Sequence, residues 1–455
     1  MTSHGSLDIE AIRLRLQETV QNGPMESIRD LLGELHPSDV ADLVESLETD
    51  EERITLLRSL PKELASETLA EMDQEEDPGE ILAALDPVIG AELIHELEYD
   101  DAVDLVGELS PEGRARILAA LPLEEAGEIR GLLRYDEESA GGLMDTLLVR
   151  VESSLTAGQA IAEVRRQGRE VDDFYTVFVV DEGHHLLGTV PLDDLILADP
   201  LLPVIELVQP VLASVKADED QEEVGRLMSR YNLVSIPVVD AFGVLLGRIT
   251  FDDVLDVMEA EQTEDILRLV GTSDEEELRG TWSETVRIRL PWLALNLLTA
   301  TVAASVVWFF RDTVHDIILL AALAPIIAAL GGNAGTQALA VTVRRISLAG
   351  EGEMGSRPFR AVGKEVLVGM VNGAVLGLAI AGLSFLVGGD PKLGAVVLIA
   401  MWGNLMVAGF AGSFVPTILN RFGVDPAVAS SVFVHTFTDL IGFFLLLGLA
   451  TALLL

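Results

Sequence analysis

The last third of the chain is dominated by five long apolar runs, at roughly 290–310, 314–343, 363–388, 393–419 and 427–455. Each reaches the ~20 residues that a helix needs to cross the hydrocarbon core of a bilayer. Helices also satisfy their own backbone hydrogen bonds there, so the runs predict five membrane-spanning helices. Upstream the pattern changes twice. Up to about residue 134 it is helical and repetitive: Leu85, Leu97, Leu109, Leu121 and Leu133 recur every twelve residues. Turn-like openings precede the units at Asp86-Pro87, Glu98-Tyr99-Asp100, Ser110-Pro111 and Leu121-Pro122. Units of one short helix bury their apolar faces only by stacking, which predicts a superhelical or right-angled stack. Between 137 and 262, β-branched and aromatic runs appear. Residues 174–181 and 186–190 read as two strands joined by a turn at Gly183, with a helix opening at Pro191. The same order returns at 234–240, 241–243, 244–250 and 251–254.

Charge sharpens the division. The chain has 30 Lys and Arg against 74 Asp and Glu, a net charge of −44. Residues 287–455 carry eight acids and ten bases, leaving 66 acids and 20 bases in residues 1–286. Such a surface excludes nucleic acid, which wants Lys and Arg, and suits hard cations that take oxygen ligands. The absence of cysteine excludes disulfides and thiolate zinc or iron–sulfur sites. The first 30 residues contain Asp8, Glu10, Glu18 and Glu26 and no apolar core of a signal peptide. The N-terminus is therefore expected in the cytoplasm. With five spans, the inner segments then hold Arg287, Arg289, Arg344, Arg345, Arg357, Arg360, Lys364 and Arg421, and the outer ones only Arg311 and Lys392. That asymmetry agrees with the retention of positive charge inside and places the C-terminus outside.

Three features carry candidate chemistry. From 253 to 269, Leu255, Met258, Ile266 and Leu269 mark one stripe of a helix joining the soluble part to the first apolar run. Glu261, Glu264 and Asp265 are spaced to share a face of it; they repel one another, and a divalent cation would relieve that repulsion. In the second apolar run, Pro325 is followed by Gly331-Gly332-Asn333-Ala334-Gly335-Thr336-Gln337, whose glycines allow close helix approach or irregular backbone beside a cavity, with Asn333 and Gln337 offering carbonyl oxygens that packing alone does not explain. In the fifth, Asp439 is the one acid well inside a run, with no neighbouring Lys or Arg to pair with it. An intramembrane carboxylate of this kind is costly and marks a functional site. His435 lies one turn away as a polar neighbour; hard ions prefer oxygen to imidazole.

The repeated unit Ile-Pro-Val-Val-Asp, Gly, Leu-Leu-Gly, Thr-x-x-Asp resembles a CBS domain, here as a tandem pair. The resemblance implies a module that senses adenine nucleotides or metal ions and dimerises. Thr250 and Asp253 match that family's ribose-binding Thr-x-x-Asp; in the first copy Pro191 replaces the threonine while Asp194 remains, so ATP would favour the second copy. The whole order, including the junction Tyr135-Asp-Glu-Glu-Ser-Ala-Gly-Gly-Leu-Met144, Gly-Gly-Asn-Ala-Gly and a Thr-Asp in the last span, resembles the MgtE magnesium transporter family over essentially the entire chain. The implied fold is multidomain: an all-α superhelical N-domain (1–134), an α/β tandem CBS pair (135–198 and 199–258), a connecting plug helix (259–286) and a five-helix all-α transmembrane domain (287–455).

The resemblance further implies a Mg2+ channel in the cell membrane. It implies a homodimer with one pore on its two-fold axis, Asp439 of both subunits at the selectivity site, Gly331 and Asn333 beside it, and a plug that closes when cytoplasmic Mg2+ is high. The expected regulatory ligands are Asp100, Asp101 and Asp104 of the N-domain, Asp252, Asp253 and Asp256 at the CBS exit, and Glu259, Glu261 and Asp265 on the plug. Asp425 in the last inner loop is expected to share an ion with the plug. Family members often carry Asn-Gln where this chain has Thr336-Gln337, so a pore-facing role does not transfer to Thr336. Rival classes lack their signatures. A zinc intramembrane protease needs His-Glu-x-x-His, an aspartyl one needs two membrane aspartates, and a P-loop pump needs Gly-x-x-x-x-Gly-Lys-Ser/Thr. The alternative that stays open is a broader divalent carrier for Co2+, Ni2+ or Ca2+.

Overall fold

The computed structural model describes residues 32–33, 35–47, 49–73, 76–169, 171, 174–272, 282–353, 358–388, 390–428 and 431–455. The first 31 residues of the expected N-domain and 273–281 of the expected plug lie outside them. The chain divides into two compact units, Met1–Met258 and Glu259–Leu455.

The first unit opens with eight short helices: α1 (Pro37–Glu45), α2 (Asp50–Leu57), α3 (Lys62–Ala70), α4 (Pro78–Ala84), α5 (Pro87–Ile94), α6 (Tyr99–Glu108), α7 (Pro111–Ala120) and α8 (Leu123–Leu132). From α5 onward they begin twelve residues apart. The reason is local. Asp86 and Ser110 accept hydrogen bonds from Val88 N–H and Gly113 N–H at the helix starts, with Pro87 and Pro111 in the first turn. Leu85, Leu109, Leu121 and Leu133 sit at the C-terminal caps of α4, α6, α7 and α8. Odd helices pack on odd (α1 on α3, α3 on α5, α5 on α7) and even on even (α2 on α4, α4 on α6, α6 on α8), which is the predicted superhelical stack.

Two three-stranded sheets follow. In the first, β1 (Arg150–Glu152) runs parallel to β2 (Thr176–Val180), which is antiparallel to β3 (Leu186–Pro191). In the second, β4 (Val215–Lys216), β5 (Ser235–Val239) and β6 (Leu245–Thr250) repeat the arrangement, down to a register shift at the same place. Helices α9 (Ala157–Gln167), α10 (Leu192–Leu197) and α11 (Gln221–Tyr231) complete the pair. The hairpins were legible in the sequence; the short strands β1 and β4 and the helices after them were not singled out. The backbones of Asp145 and Arg248 bond reciprocally at 2.9 Å, so the junction segment joins β6. A single helix, α12 (Phe251–Val270), leaves the second sheet and ends in the second unit.

The second unit holds α13 (Trp282–Phe309), a short α14 (Arg311–Asp316), α15 (Leu319–Glu353), α16 (Pro358–Gly388), α17 (Pro391–Arg421) and α18 (Ser431–Leu454). The five long ones are each long and apolar enough to cross a membrane. One expectation changes and one open alternative is decided. The second span starts at Leu319, not 314, because α14 turns the chain first. And α15 runs unbroken through Pro325 and the glycine motif: the glycines there serve helix contact, not irregular backbone. A methyl on Gly332 would lie 2.4 Å from the His435 ring, and one on Gly335 would lie 2.3 Å from Val434. Helix α16 packs on α17 in the same way, along Gly369, Gly373 and Gly377; a methyl on Gly369 would come within 2.2 Å of the Leu405 carbonyl. Small residues spaced four apart let membrane helices approach backbone to backbone.

Candidate functional site

Three clusters of polar side chains stand out, one in the first unit and two in the second. The first surrounds the start of α6. Burial, followed by the neighbouring carboxylates, raises Glu98 to about 8 and Asp101 to about 7. Asp100 is pushed well above the usual carboxylate range by burial and then by Asp253 and Asp101. Asp104 still reaches solvent; the protein around it, then Asp101 and Glu137, raises it too. From the CBS side come Asp145, raised to about 6 chiefly by burial, and Asp253, raised by burial against the hydrogen bonds from Thr250. One buried guanidinium serves this group: Arg248 lies 3.4 Å from Glu98 and 3.7 Å from Asp145. The backbone N–H groups of Leu147 and Tyr99 donate to Asp145, but its Oδ2 has no hydrogen-bond partner.

Six carboxylates around one arginine, with Asp100 and Asp145 among them buried, is an unbalanced cluster. Replacing Arg248 by alanine is expected to destabilise the unit by about 3–5 kcal/mol, because it strands the buried Asp145 and the half-buried Glu98. Thermal unfolding without divalent cations measures this; an unchanged midpoint would show that the acids do not depend on it.

The second cluster lies at the end of α12. Arg268 pairs with Glu264 one turn back and donates to Asp425 Oδ2 at 2.5 Å. Asp425 Oδ1 accepts from Ala427 N–H at 2.7 Å. Asp265 accepts from the Ser347 hydroxyl at 3.2 Å; burial and the charge of Asp425 outweigh that bond and raise it above the usual range. Leu269 packs against Leu339, Val343, Ala427 and Val434. The expected mutual repulsion of Glu261, Glu264 and Asp265 is thus partly answered by the protein's own cation, which the sequence reading passed over.

The third cluster lies among the spans. Asp439 is half-buried and lines an open pocket of about 640 Å3 between α13 and α18, with Ala300, Ala303, Val307 and Phe443. Arg311 lines the same pocket, though among the described residues no ion pair joins it to Asp439. That arginine is 128 positions away along the chain, and it also sits 3.6 Å from Asp312 and over the Trp308 ring at 5.3 Å. Asn333 and Gln337 are exposed on α15, whereas Gly331 is buried against Asn404 and Thr438. His435 Nδ1 donates to the Ser431 carbonyl at 2.7 Å. Among the described residues no three His, Cys, Asp or Glu side chains converge as a ready-made metal site.

Family models match three segments: the MgtE intracellular N domain at 35–138, a CBS domain at 204–260 and the MgtE divalent cation transporter domain at 324–449. The magnesium transporter MgtE of Thermus thermophilus is 35% identical over 452 residues, 98% of this chain and 99% of that protein. The chain belongs to the MgtE family. The magnesium transporter MgtE of Enterococcus faecalis is 34% identical over 93% of both chains. Among solved structures, the soluble part of a magnesium transporter matches with a TM-score of 0.51 at 31% identity, covering 56% of this chain and 99% of that one. The cytosolic domain of the Mg2+ channel MgtE in complex with ATP matches with a TM-score of 0.51 at 38% identity, covering 54% and 99%.

This MgtE-family chain is therefore a multi-pass membrane protein with a superhelical N-domain, a CBS pair and a five-helix transmembrane domain. Of the expected site residues, Asp100, Asp101, Asp104 and Asp253 come together in the first cluster, and Asp252 adds its charge to Asp101. Asp265 and Asp425 meet in the second. Asp256 and Glu259 are exposed and Glu261 half-exposed along α12. Thr250 donates through its N–H and hydroxyl to Asp253 Oδ2, at 3.1 and 2.6 Å, as the first turn of α12 closes. The sequence reading missed Glu98, Asp145, Arg248 and Arg268. One signal was available: Arg248 is a charged residue in a strand whose neighbours Gly247 and Ile249 are apolar and buried.

Proposed function

We propose that this chain is a magnesium-selective channel that imports Mg2+ across the cytoplasmic membrane and is closed by cytoplasmic Mg2+. The observation that carries the reading is Asp439: a half-buried carboxylate in a membrane span, open to a pocket. Mg2+ sheds water reluctantly and prefers octahedral oxygen at about 2.0–2.1 Å. In a homodimer, Asp439 of both subunits would face each other and hold the hydrated ion through its water, tightly enough to admit it and weakly enough to release it. Asn333 would add amide oxygen near this site. Gly331, inside an unbroken helix, contributes close packing.

Closure uses the two acidic clusters. Without ions, the carboxylates around Arg248 repel, and the N-domain and CBS pair separate. With Mg2+ bridging Asp100, Asp101 and Asp104 to Asp252 and Asp253, they close. Mg2+ keeps several waters and needs only one or two carboxylates directly, so no preformed cage is required. Asp256, Glu259, Glu261 and Asp265 on the plug, with Asp425 in the last loop, would extend the bridging into the second unit. This is a two-state element biased by its ligand. The N-terminus is then cytoplasmic and the C-terminus outside. An adenine nucleotide would set its ribose on Thr250 and the Asp253 oxygen not bonded to Thr250, supplying a bound ligand and no chemistry.

Liposomes holding the full chain test this. Mg2+ influx is expected to fall as internal Mg2+ rises through about 0.1–1 mM, the range of weak oxygen-ligand sites; influx indifferent to internal Mg2+ would refute the gate. Oxygen-only donors also suit Ca2+, and equal flux of Ca2+, Co2+ or Ni2+ in the same vesicles would replace the selective channel with a broad divalent carrier.

A further inference from the structure

Asn404 lies at the centre of the transmembrane unit and is wholly buried. Its Nδ2 donates to the Ile327 carbonyl of α15 at 3.0 Å. Its Oδ1 is buried without a hydrogen-bond partner. A glycine stands on either side of the amide. A methyl on Gly331 of α15 would fall 2.3 Å from Nδ2, and one on Gly442 of α18 would fall 2.8 Å from the same atom. Thr438 closes the remaining side, 3.2 Å from that first methyl, with its hydroxyl donating to its own helix at Val434 and His435. Gly331 is two residues from Asn333, and Gly442 is three from Asp439. One amide on α17 is therefore wedged between the two helices that carry the candidate ion-site residues.

Packing alone does not account for an asparagine here. A small apolar side chain would fill the space without a polar atom to satisfy, whereas an unsatisfied buried acceptor costs about 1–3 kcal/mol. What the amide adds is a fixed position. The bond to Ile327 holds it against α15, and the two bare glycines let the backbones of α15 and α18 close on its two faces. We propose that Asn404 is a positioning residue that sets the separation of α15 and α18, and through it the width of the ion site at Asp439. The proposal rests on the reading of Asp439 as the ion site.

The test uses the full chain in liposomes and reads two quantities: the Mg2+ concentration for half-maximal influx and the ratio of Mg2+ to Ca2+ flux. Asn404→Leu keeps the number and branching of side-chain heavy atoms and deletes the bond. It is expected to assemble and to conduct with half-saturation raised about tenfold, the size of one lost buried hydrogen bond, and with the Mg2+ to Ca2+ ratio reduced in step. Gly331→Ala is expected to abolish influx by driving a methyl into the amide. Adding Asn404→Ala vacates that space, so the double variant is expected to recover influx without recovering the ratio; such non-additivity is the mark of direct contact.

Asn404→Leu with both quantities within twofold of wild type would overturn the proposal. So would a double variant no better than Gly331→Ala alone, which also decides the matter should Asn404→Leu fail to assemble. Asp439→Ala is run alongside. Normal Mg2+ influx through it would remove the ion-site reading, whereas its loss with unchanged Asn404 variants would remove only the positioning role.

Discussion

Replacing Asp439 by alanine is expected to reduce Mg2+ flux by at least about a hundredfold while the five spans still assemble. One unit charge interacts with another by about 4 kcal/mol at 4 Å where the effective dielectric is near 20. A divalent ion doubles that attraction, and a dimer would offer two such carboxylates. Losing both removes far more than the 2.7 kcal/mol that a hundredfold change requires. Assembly should survive because Asp439 is half-exposed on a pocket wall, whereas the contacts of α18 with α15 and α17 run through Val434, Gly442, Leu446 and Leu447. Asp439→Asn keeps the shape and loses the charge, so it should resemble the alanine variant; Asp439→Glu should keep partial flux. Mg2+ influx into liposomes decides between them, with size-exclusion elution as the check on assembly. Asp439→Asn conducting like wild type would show that oxygen lone pairs, and not charge, bind the ion.

The second large effect is expected from pH acting on the cluster around Arg248. Glu98, Asp101 and Asp145 bind protons more tightly in the folded protein than carboxylates do in an unfolded chain, at about 8, 7 and 6, where the unfolded values are near 4. Between pH 4 and 8 the folded unit therefore holds more protons than the unfolded one, and its stability falls as pH rises through that window. Each extra proton contributes a slope of about 1.4 kcal/mol per pH unit. Without divalent cations the melting temperature of the full chain should thus drop steeply from pH 5 to pH 8 and level off above it. Mg2+ takes the place of the protons, so at pH 8 it should raise the melting temperature strongly and at pH 5 hardly at all. In flux measurements the same competition should raise the internal Mg2+ needed for closure as pH falls from 8 to 6. A Mg2+ effect on melting that is equal at both pH values would mean that the ions bind elsewhere. Asp101→Asn should flatten the pH dependence, because its amide carries no charge to neutralise.

The relation of sequence to structure differs between the two halves. The twelve-residue recurrence of leucine, with Asp86-Pro87 and Ser110-Pro111 at the openings, specified the helical stack because a ten-residue helix plus a two-residue connection is a purely local construction. The hairpins 176–191 and 235–250 were equally legible, since alternation and a glycine turn are local signals. The spans follow from length and apolarity, properties that need no partner. What the sequence left open was the glycine motif of α15. Glycine next to proline is ambiguous in sequence between irregular backbone and close packing. Only the neighbours settle it, and Asn404, His435 and Val434 from two other helices fill the space that side chains would have occupied.

By itself, then, the sequence determined the order of the domains, the number of spans, the imbalance of charge and the lone acid of the last span, because each is a property of consecutive residues. Only the tertiary structure decided which acids share an interior, that Arg248 and Arg268 answer them, that Arg311 stands in the pocket with Asp439, and that a buried amide separates the helices carrying Asn333 and Asp439. Those relations join residues tens to more than a hundred positions apart, and electrostatics and close packing act through space, where chain distance leaves no trace.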